Sequence, residues 1–89
     1  MKLLELRSEI SDKVRSELPR ARLALEIADD IIAFPLISVA SAQGRYGRSN
    51  QANRNAIAAL VNLGILEPFG EARYDRLYWN RSIFHIVDT

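Results

Sequence analysis

The residues best suited to chemistry in this sequence lie on one side of the segment Ser49 to Leu63. At 100° per residue of an α-helix, that side carries two amides, one guanidinium and one small residue, namely Asn50, Gln51, Arg54 and Ala58. Amides and guanidinium groups hydrogen-bond to the edges of DNA bases, and a small residue allows close approach. The opposite side carries apolar residues, namely Ala52, Ala56, Ala59, Leu60 and Leu63. The segment predicts a helix with one packed face and one face able to read bases.

The polar face has two interpretations, a DNA-contacting surface or an ordinary solvated helix face. The distribution of charge favours DNA. Residues 31–66 carry three arginines and no acidic residue, giving +3, whereas residues 1–30 (six basic, seven acidic) and 67–89 (three basic, four acidic) each sum to −1. Although the formal net charge is only +1, the excess of positive charge is thus concentrated in residues 31–66, where it would attract phosphates. We expect Arg45 and Arg48 to contact phosphates and Arg54 to reach bases.

Capping signals mark this helix and a shorter helix before it. Ser49 supplies a side-chain oxygen for the first turn, and Gly64 follows the last turn, where a left-handed conformation ends many helices. Ser38 caps a short helix from Val39 to about Arg45 in the same way. Tyr46 and Gly47 form the tight turn between the two. The pattern is that of a helix-turn-helix.

Two further helices precede this unit. From Leu3 to Leu18 apolar residues recur at spacings of three and four, and the stripe consists of Leu3, Leu6, Ile10, Val14 and Leu18. Pro19 ends this helix, and a second runs from about Arg20 to Phe34, closed by Pro35. Because a small domain cannot cover the whole stripe, we expect a symmetric homodimer through the first helix.

A small antiparallel wing is predicted after the helix-turn-helix. Residues 65–69 form an edge strand because Pro68 cannot complete a central ladder. Residues 70–72 turn, and residues 73–79 return as a strand with alternating faces. Its aromatic residues Tyr74, Tyr78 and Trp79 form either the core of the wing, which is favoured, or a platform on which bases stack. Pro35-Leu36-Ile37 is extended and could add one strand. Arg73 and Arg76 either contact phosphates or form ion pairs with nearby acidic residues. The tail 82–87 packs against the domain either as a helical turn or as a strand.

The segment from Phe34 to Trp79 resembles the C-terminal winged helix of Fic-family proteins, over about half of the chain. The shared features are a Pro-Leu-x-Ser-Val entry, a Gly-x-Ser turn, an alanine-containing recognition helix, a Leu-x-x-Leu-Gly-Ile-Leu run, and an arginine with a tyrosine several residues after it. The matching residues are Pro35, Leu36, Ser38, Val39, Gly47, Ser49, Ala52, Leu60, Leu63, Gly64, Ile65, Leu66, Arg73 and Tyr78. The resemblance implies a winged helix that serves as the regulatory domain of a Fic-like protein.

The chain departs from that family in two ways. Gln43 and Arg48 stand where a small and an apolar residue are usual, so a looser turn is expected. The His-Pro-Phe motif and its Gly-Asn-Gly-Arg run are missing, since His85 is followed by Ile86. The adenylyl transfer that the resemblance associates with the family is therefore not expected from this chain.

Composition argues against several other classes. The chain has no cysteine and one histidine, so no disulfide, metal site or cofactor is expected. Adjacent Asp29 and Asp30 point about 100° apart on a helix, and Ser41 and Ser49 have no histidine partner, so an enzyme is not expected. No run approaches the roughly 18 apolar residues that a membrane span needs. With charges throughout its N-terminus, the chain is expected in the cytoplasm, away from membranes.

We therefore predict an α+β winged helix-turn-helix, a three-helix core plus a β-wing, with an N-terminal helical extension. Residues 1–34 form the N-terminal helices and residues 35–89 the winged helix-turn-helix. The expected function is binding of double-stranded DNA through helix 49–63 in transcription regulation, with contacts from Arg45, Arg48, Ser49, Asn50, Gln51, Arg54, Asn55, Arg73 and Arg76. The alternative is a protein-interaction or dimerisation module that never meets DNA, which the weak net charge favours.

Overall fold

The computed structural model describes residues 3–71 and 73–88, with side chains up to residue 85. Five helices and three short strands follow one another there: α1 (Leu3–Glu17), α2 (Arg22–Asp29), β1 (Leu36–Ile37), α3 (Val39–Tyr46), α4 (Asn50–Asn62), β2 (Glu67–Phe69), β3 (Leu77–Trp79) and α5 (Arg81–Asp88). The predicted α+β class is confirmed. Among the described residues, none of the helices has the length and apolar character that a bilayer crossing requires.

The three strands form one antiparallel sheet in the order β1-β3-β2. Ile37 pairs with Tyr78 on one side of β3, and Pro68 pairs with the same tyrosine on the other. The strand that contains Pro68 therefore lies at an edge, as predicted, because proline has no N–H to donate to a further strand. The extended segment before α3 also forms a strand of this sheet. The sequence left open whether this segment would join the sheet or only connect two helices.

The predicted helix caps of α3 and α4 are confirmed. Ser38 and Ser41 form a reciprocal pair, each hydroxyl accepting from the other's amide at 3.1 and 2.9 Å. The Ser49 hydroxyl accepts from the amide three residues further on at 3.0 Å. Gly47 and Gly64 follow the two helices with φ of 73° and 78°, a left-handed conformation that glycine adopts without steric cost. These local bonds fix where α4 begins and ends.

One apolar core joins α1 and α2 to the later elements. Leu6, Ile10 and Val14 of α1 are buried in the same cluster as Leu60 of α4 and Ile83 of α5. The two segments on either side of residue 34 therefore share a core. The apolar stripe of α1, from which the sequence predicts a homodimer, is largely buried within the monomer. Its end residues Leu3 and Leu18 are partly buried against the same core.

Two elements are shorter than predicted. Helix α2 ends at Asp29 rather than Phe34, because the amide of Ile31 bonds to the carbonyl of Ala28 at 3.3 Å and the chain continues in turns to residue 33. The returning strand spans Leu77–Trp79 rather than residues 73–79, since its partner β2 has only three residues. Asp75 has a φ of 48°, which does not fit a strand.

Tyr74 is not part of the sheet's core, in contrast to the prediction. Its side chain is 90% exposed, whereas Tyr78 and Trp79 are half-buried. The reason is that residues 73–75 lie in bends before β3 begins, so the alternation of a strand does not apply to them. Part of the predicted turn, Ala72, lies outside the described residues.

The tail forms a helix, α5, which resolves the choice that the sequence left open. Asn80 is buried just before it and links two elements. Its amide nitrogen donates to the carbonyl oxygen of Ile65 at 2.7 Å, and its amide oxygen accepts from the backbone N–H of Ile83 at 3.1 Å. Asn80 therefore caps α5 and anchors it next to β2. Asparagine is a favoured N-cap residue, so this signal was present in the sequence.

Candidate nucleic-acid interface

An open groove of about 520 Å³ lies between α4 and the residues 67–71 and 73–79, which we call the β2–β3 hairpin. Asn50 and Arg54 line it from α4, and Arg73 and Arg76 line it from the hairpin. Four of the predicted contact residues are thus brought together from two separate parts of the chain. Among the described residues that line it, Asp75 is the only one with a carboxylate. The three arginines give the groove a positive balance.

The exposed face of α4 is ordered by hydrogen bonds between its own side chains. The Gln51 amide donates to the Asn55 oxygen at 2.8 Å, and the Arg54 guanidinium donates to the Asn50 oxygen at 3.1 Å. Residues four apart lie one above the other on a helix, so both bonds run along its surface. All four side chains are exposed, as is Ala58. The face therefore presents amides and a guanidinium in restrained positions.

The opposite face of α4 packs as predicted. Ala56 and Leu60 are buried, Ala52 and Leu63 are partly buried against the core, and Ala59 is half-buried. The helix contacts α2 and α3, which hold it against the rest of the molecule. The orientation of the polar face thus follows from where the apolar residues fall on the helix.

Arg45 lies outside the groove, at the end of α3. Its guanidinium is 3.6 Å from the centroid of the Phe34 ring and 5.8 Å from that of the Tyr46 ring. A cation over an aromatic face is attracted by the ring's electron density and keeps its charge. Arg45 is exposed, so it remains a positive group close to the turn before α4.

Arg48 is held in an ion pair with Glu26 of α2. One guanidinium nitrogen lies 2.6 Å from a carboxylate oxygen and the other lies 3.5 Å from the second oxygen. Such a paired arrangement balances the charge and restricts the side chain. A phosphate at Arg48 would compete with the Glu26 carboxylate for the guanidinium, and Arg48 does not line the groove. Its structural role is to tie the turn before α4 to α2.

Asn53 is an important residue that the sequence analysis did not single out. It is completely buried, and its amide nitrogen donates to the backbone carbonyls of Arg48 at 3.2 Å and Ser49 at 2.9 Å. Its amide oxygen has no hydrogen-bond partner among the described residues. The signal was available, because Asn53 falls only about 20° from Leu60 around the helix. An amide on a packed face indicates a buried hydrogen bond.

In the described part of the chain, no group of three or more His, Cys, Asp or Glu residues is placed to hold a metal ion. Comparison with protein-family models, curated proteins and solved structures finds no match for this chain. The resemblance to Fic-family domains stays a prediction. The groove and its lining residues are therefore the basis of the function proposed below.

The Tyr46 hydroxyl links α3 to the end of α2 and gives a prediction for high pH. It donates to the Asp30 carboxylate at 2.8 Å. Burial first, and then the bond to this carboxylate, raise the pKa of Tyr46 from 10.0 to about 12. A raised pKa means that the bond's stability is fully present below the unfolded pKa and is lost as pH rises from about 10 to about 12. We expect Tyr46→Phe to lose less stability over this range than wild type, measured by urea unfolding at several pH values. Equal losses in the two proteins would contradict the assignment.

Proposed function

We propose that this chain is a winged helix-turn-helix domain that binds double-stranded DNA. Helices α2, α3 and α4 would be its three-helix core, so the proposed domain begins within residues 1–34 rather than at residue 35. The β2–β3 hairpin would be its wing, and α1 and α5 would be additions at either end. In a Fic-like protein it would act as the regulatory domain, with no catalysis of its own. The proposal concerns a protein of the cytoplasm that needs no cofactor.

The observation that carries the proposal is the groove between α4 and the hairpin. It combines the amide and guanidinium groups of α4 with hairpin arginines in one positively charged depression. A helix face that is only exposed to solvent needs polar residues, but it does not need a second segment that places arginines beside it. Phosphates next to a helix in the major groove would provide a reason for both features.

In the proposed complex α4 enters the major groove. Its 13 residues make a rod of about 20 Å, and an α-helix fits a groove about 12 Å wide. Gln51, Arg54 and Asn55 would face base edges, and Arg73 and Arg76 would contact phosphates along the hairpin side. Arg45 is available for a further phosphate. Arg48 is left out because Glu26 already neutralises it.

Two substitutions separate base contacts from phosphate contacts. A preferred site is first selected from a random duplex library, and binding is then measured by fluorescence anisotropy. Arg54→Ala should weaken binding to the selected site by about 1–3 kcal/mol and barely affect random duplexes, because a base contact depends on sequence. Arg73→Ala should weaken binding to every duplex and lower the slope of log K against log salt by about 0.9, since one phosphate contact is lost.

The proposal fails if wild type binds no duplex at about 50 mM salt, where several arginines beside an exposed helix should register. Equal losses on selected and random duplexes for Arg54→Ala would mean that α4 does not read bases. Lys13→Ala, on the exposed side of α1, is the control for removing one positive charge from a site outside the groove.

The alternative function, a protein-interaction or dimerisation module, is favoured by the outer face of the sheet. Leu36, Phe69 and Leu77 are 38%, 39% and 37% exposed there. They share a face with Trp79, whose ring centroid lies 4.8 Å from that of Phe69 and 5.0 Å from that of Phe84. Under this alternative, light scattering shows a dimer that Leu77→Glu makes monomeric, and no duplex binds.

A further inference from the structure

Helix α4 is bordered by a second groove on its other flank. This shallow groove, of about 260 Å³, lies between the start of α2 and the middle of α4, where Asn55 and Ala59 line it. Ala59 lies about 180° around the helix from Asn50, which lines the groove on the hairpin side. The face with Gln51 lies between the two. The exposed face of α4 therefore has one groove along each side.

Arg22 lies where this second groove meets another one. It lines the groove beside α4 and also an adjoining groove of about 450 Å³ at the connection between α1 and α2. Arg15 and Arg20 line the adjoining groove as well. The side chains of Arg20 and Arg22 are exposed and have no hydrogen-bond or ion-pair partner in the described part of the chain. Arg15 pairs with Asp12 at 3.3 Å on the surface.

No carboxylate lines either of these two grooves within the described residues. The charge sum of residues 1–30 is −1, which conceals this local excess of arginine. Two acidic residues of this segment are held elsewhere: Glu26 is bound to Arg48, and Asp29 accepts a hydrogen bond from the Ser11 hydroxyl at 2.5 Å. A second positive surface thus arises beside α4 from a segment that is acidic on balance.

We propose that Arg22 and Arg20 bind backbone phosphates of duplex DNA on the side of α4 opposite the hairpin. The inference rests on the proposed function and extends it. A helix about 10–12 Å wide fills the major groove, so a phosphate backbone runs along each of its sides. The hairpin arginines meet one strand, and Arg22 with Arg20 meets the other. Guanidinium groups suit this role because they can bind phosphate oxygens in pairs.

Salt dependence on a mixed-sequence duplex tests this binding surface. Arg22→Ala should lower the slope of log K against log salt by about 0.9 relative to wild type, and Arg22→Lys should keep most of the slope because the charge remains. Lys13→Ala removes the same charge from a residue that lines neither groove, so its slope should stay at the wild-type value. Equal thermal melting of all four proteins checks that the fold is intact.

Phosphate ethylation interference on the library-selected duplex then locates the contact. Arg22→Ala should abolish interference at phosphates on one side of the recognised groove, and Arg73→Ala should abolish it on the other. If wild type binds but Arg22→Ala behaves like Lys13→Ala, the inference is overturned while DNA binding stands. The inference is also overturned if Arg22→Ala abolishes interference at the same phosphates as Arg73→Ala. If wild type binds no duplex, the proposed function and this inference fall together.

Discussion

Replacing Leu60 with alanine should lower the free energy of unfolding by about 2–5 kcal/mol, close to the whole stability of a small domain. Leu60 is completely buried in the last turn of α4. Removing the side chain beyond Cβ loses the burial of a methine and two methyl groups and leaves a cavity that the core cannot fully close. Its backbone carbonyl also accepts from the amides of Ile65 and Leu66 at 3.0 and 3.3 Å, where the chain leaves the helix. Urea unfolding followed by circular dichroism measures the loss.

Leu4→Ala is the matched control for this substitution. Leu4 is 73% exposed on α1, so the same chemical change should alter the free energy of unfolding by less than about 0.5 kcal/mol. A Leu60 variant that unfolds at the same urea concentration as the Leu4 variant would show that α4 is rotated relative to the arrangement described above.

Changing Asn53 to aspartate should lower the free energy of unfolding by about 3 kcal/mol or more, although the two side chains have nearly the same shape. The amide that donates to the carbonyls of Arg48 and Ser49 would be replaced by an oxygen about 3 Å from both. An ionised carboxylate would also be buried, with one oxygen at a position that has no hydrogen-bond partner among the described residues. Part of the loss should be recovered as pH falls, since protonation removes the buried charge. Thermal melting across a pH series measures both effects.

Asn55→Asp provides the comparison, because Asn55 is exposed on the same helix. There the carboxylate stays hydrated, so the change in unfolding free energy should stay within about 0.5 kcal/mol. If the Asn53 and Asn55 variants melt together at neutral pH, the buried amide does not hold the turn before α4 in the way we describe.

The parts of the fold that could be predicted are those set by neighbouring residues. Ser38, Ser49, Gly47 and Gly64 determine helix ends through bonds and φ angles within a few residues, and these ends were predicted to within one or two positions. The edge position of Pro68 follows equally from its own chemistry. The early end of α2 could not be predicted, because the apolar pattern continues through residues 31 and 32 after the helix has ended.

The candidate site was only partly predictable for the same reason. The exposed face of α4 follows from periodicity, but the partner of Arg48 is 22 residues away in the sequence, and no local pattern indicates that pairing. The grouping of Arg22 with α4 likewise depends on how α2 packs. Charge sums over segments treated the first 30 residues as acidic on balance, whereas the fold decides which charges meet. Asn53 is different, since its position on the helix already indicated burial.

The short strands have a consequence for amide hydrogen exchange. Each of β1, β2 and β3 has only two or three residues, so few ladder bonds hold the hairpin, and Phe69 and Leu77 at its end are partly exposed. Such a segment opens locally at low free energy, whereas the buried centre of α4 exchanges only when much of the molecule unfolds. Amide hydrogens of α4, on one wall of the groove, therefore exchange slowly, and those of the hairpin, on the other wall, exchange fast. A ligand seated between them would slow exchange mainly in the hairpin, which pays the larger ordering entropy on binding.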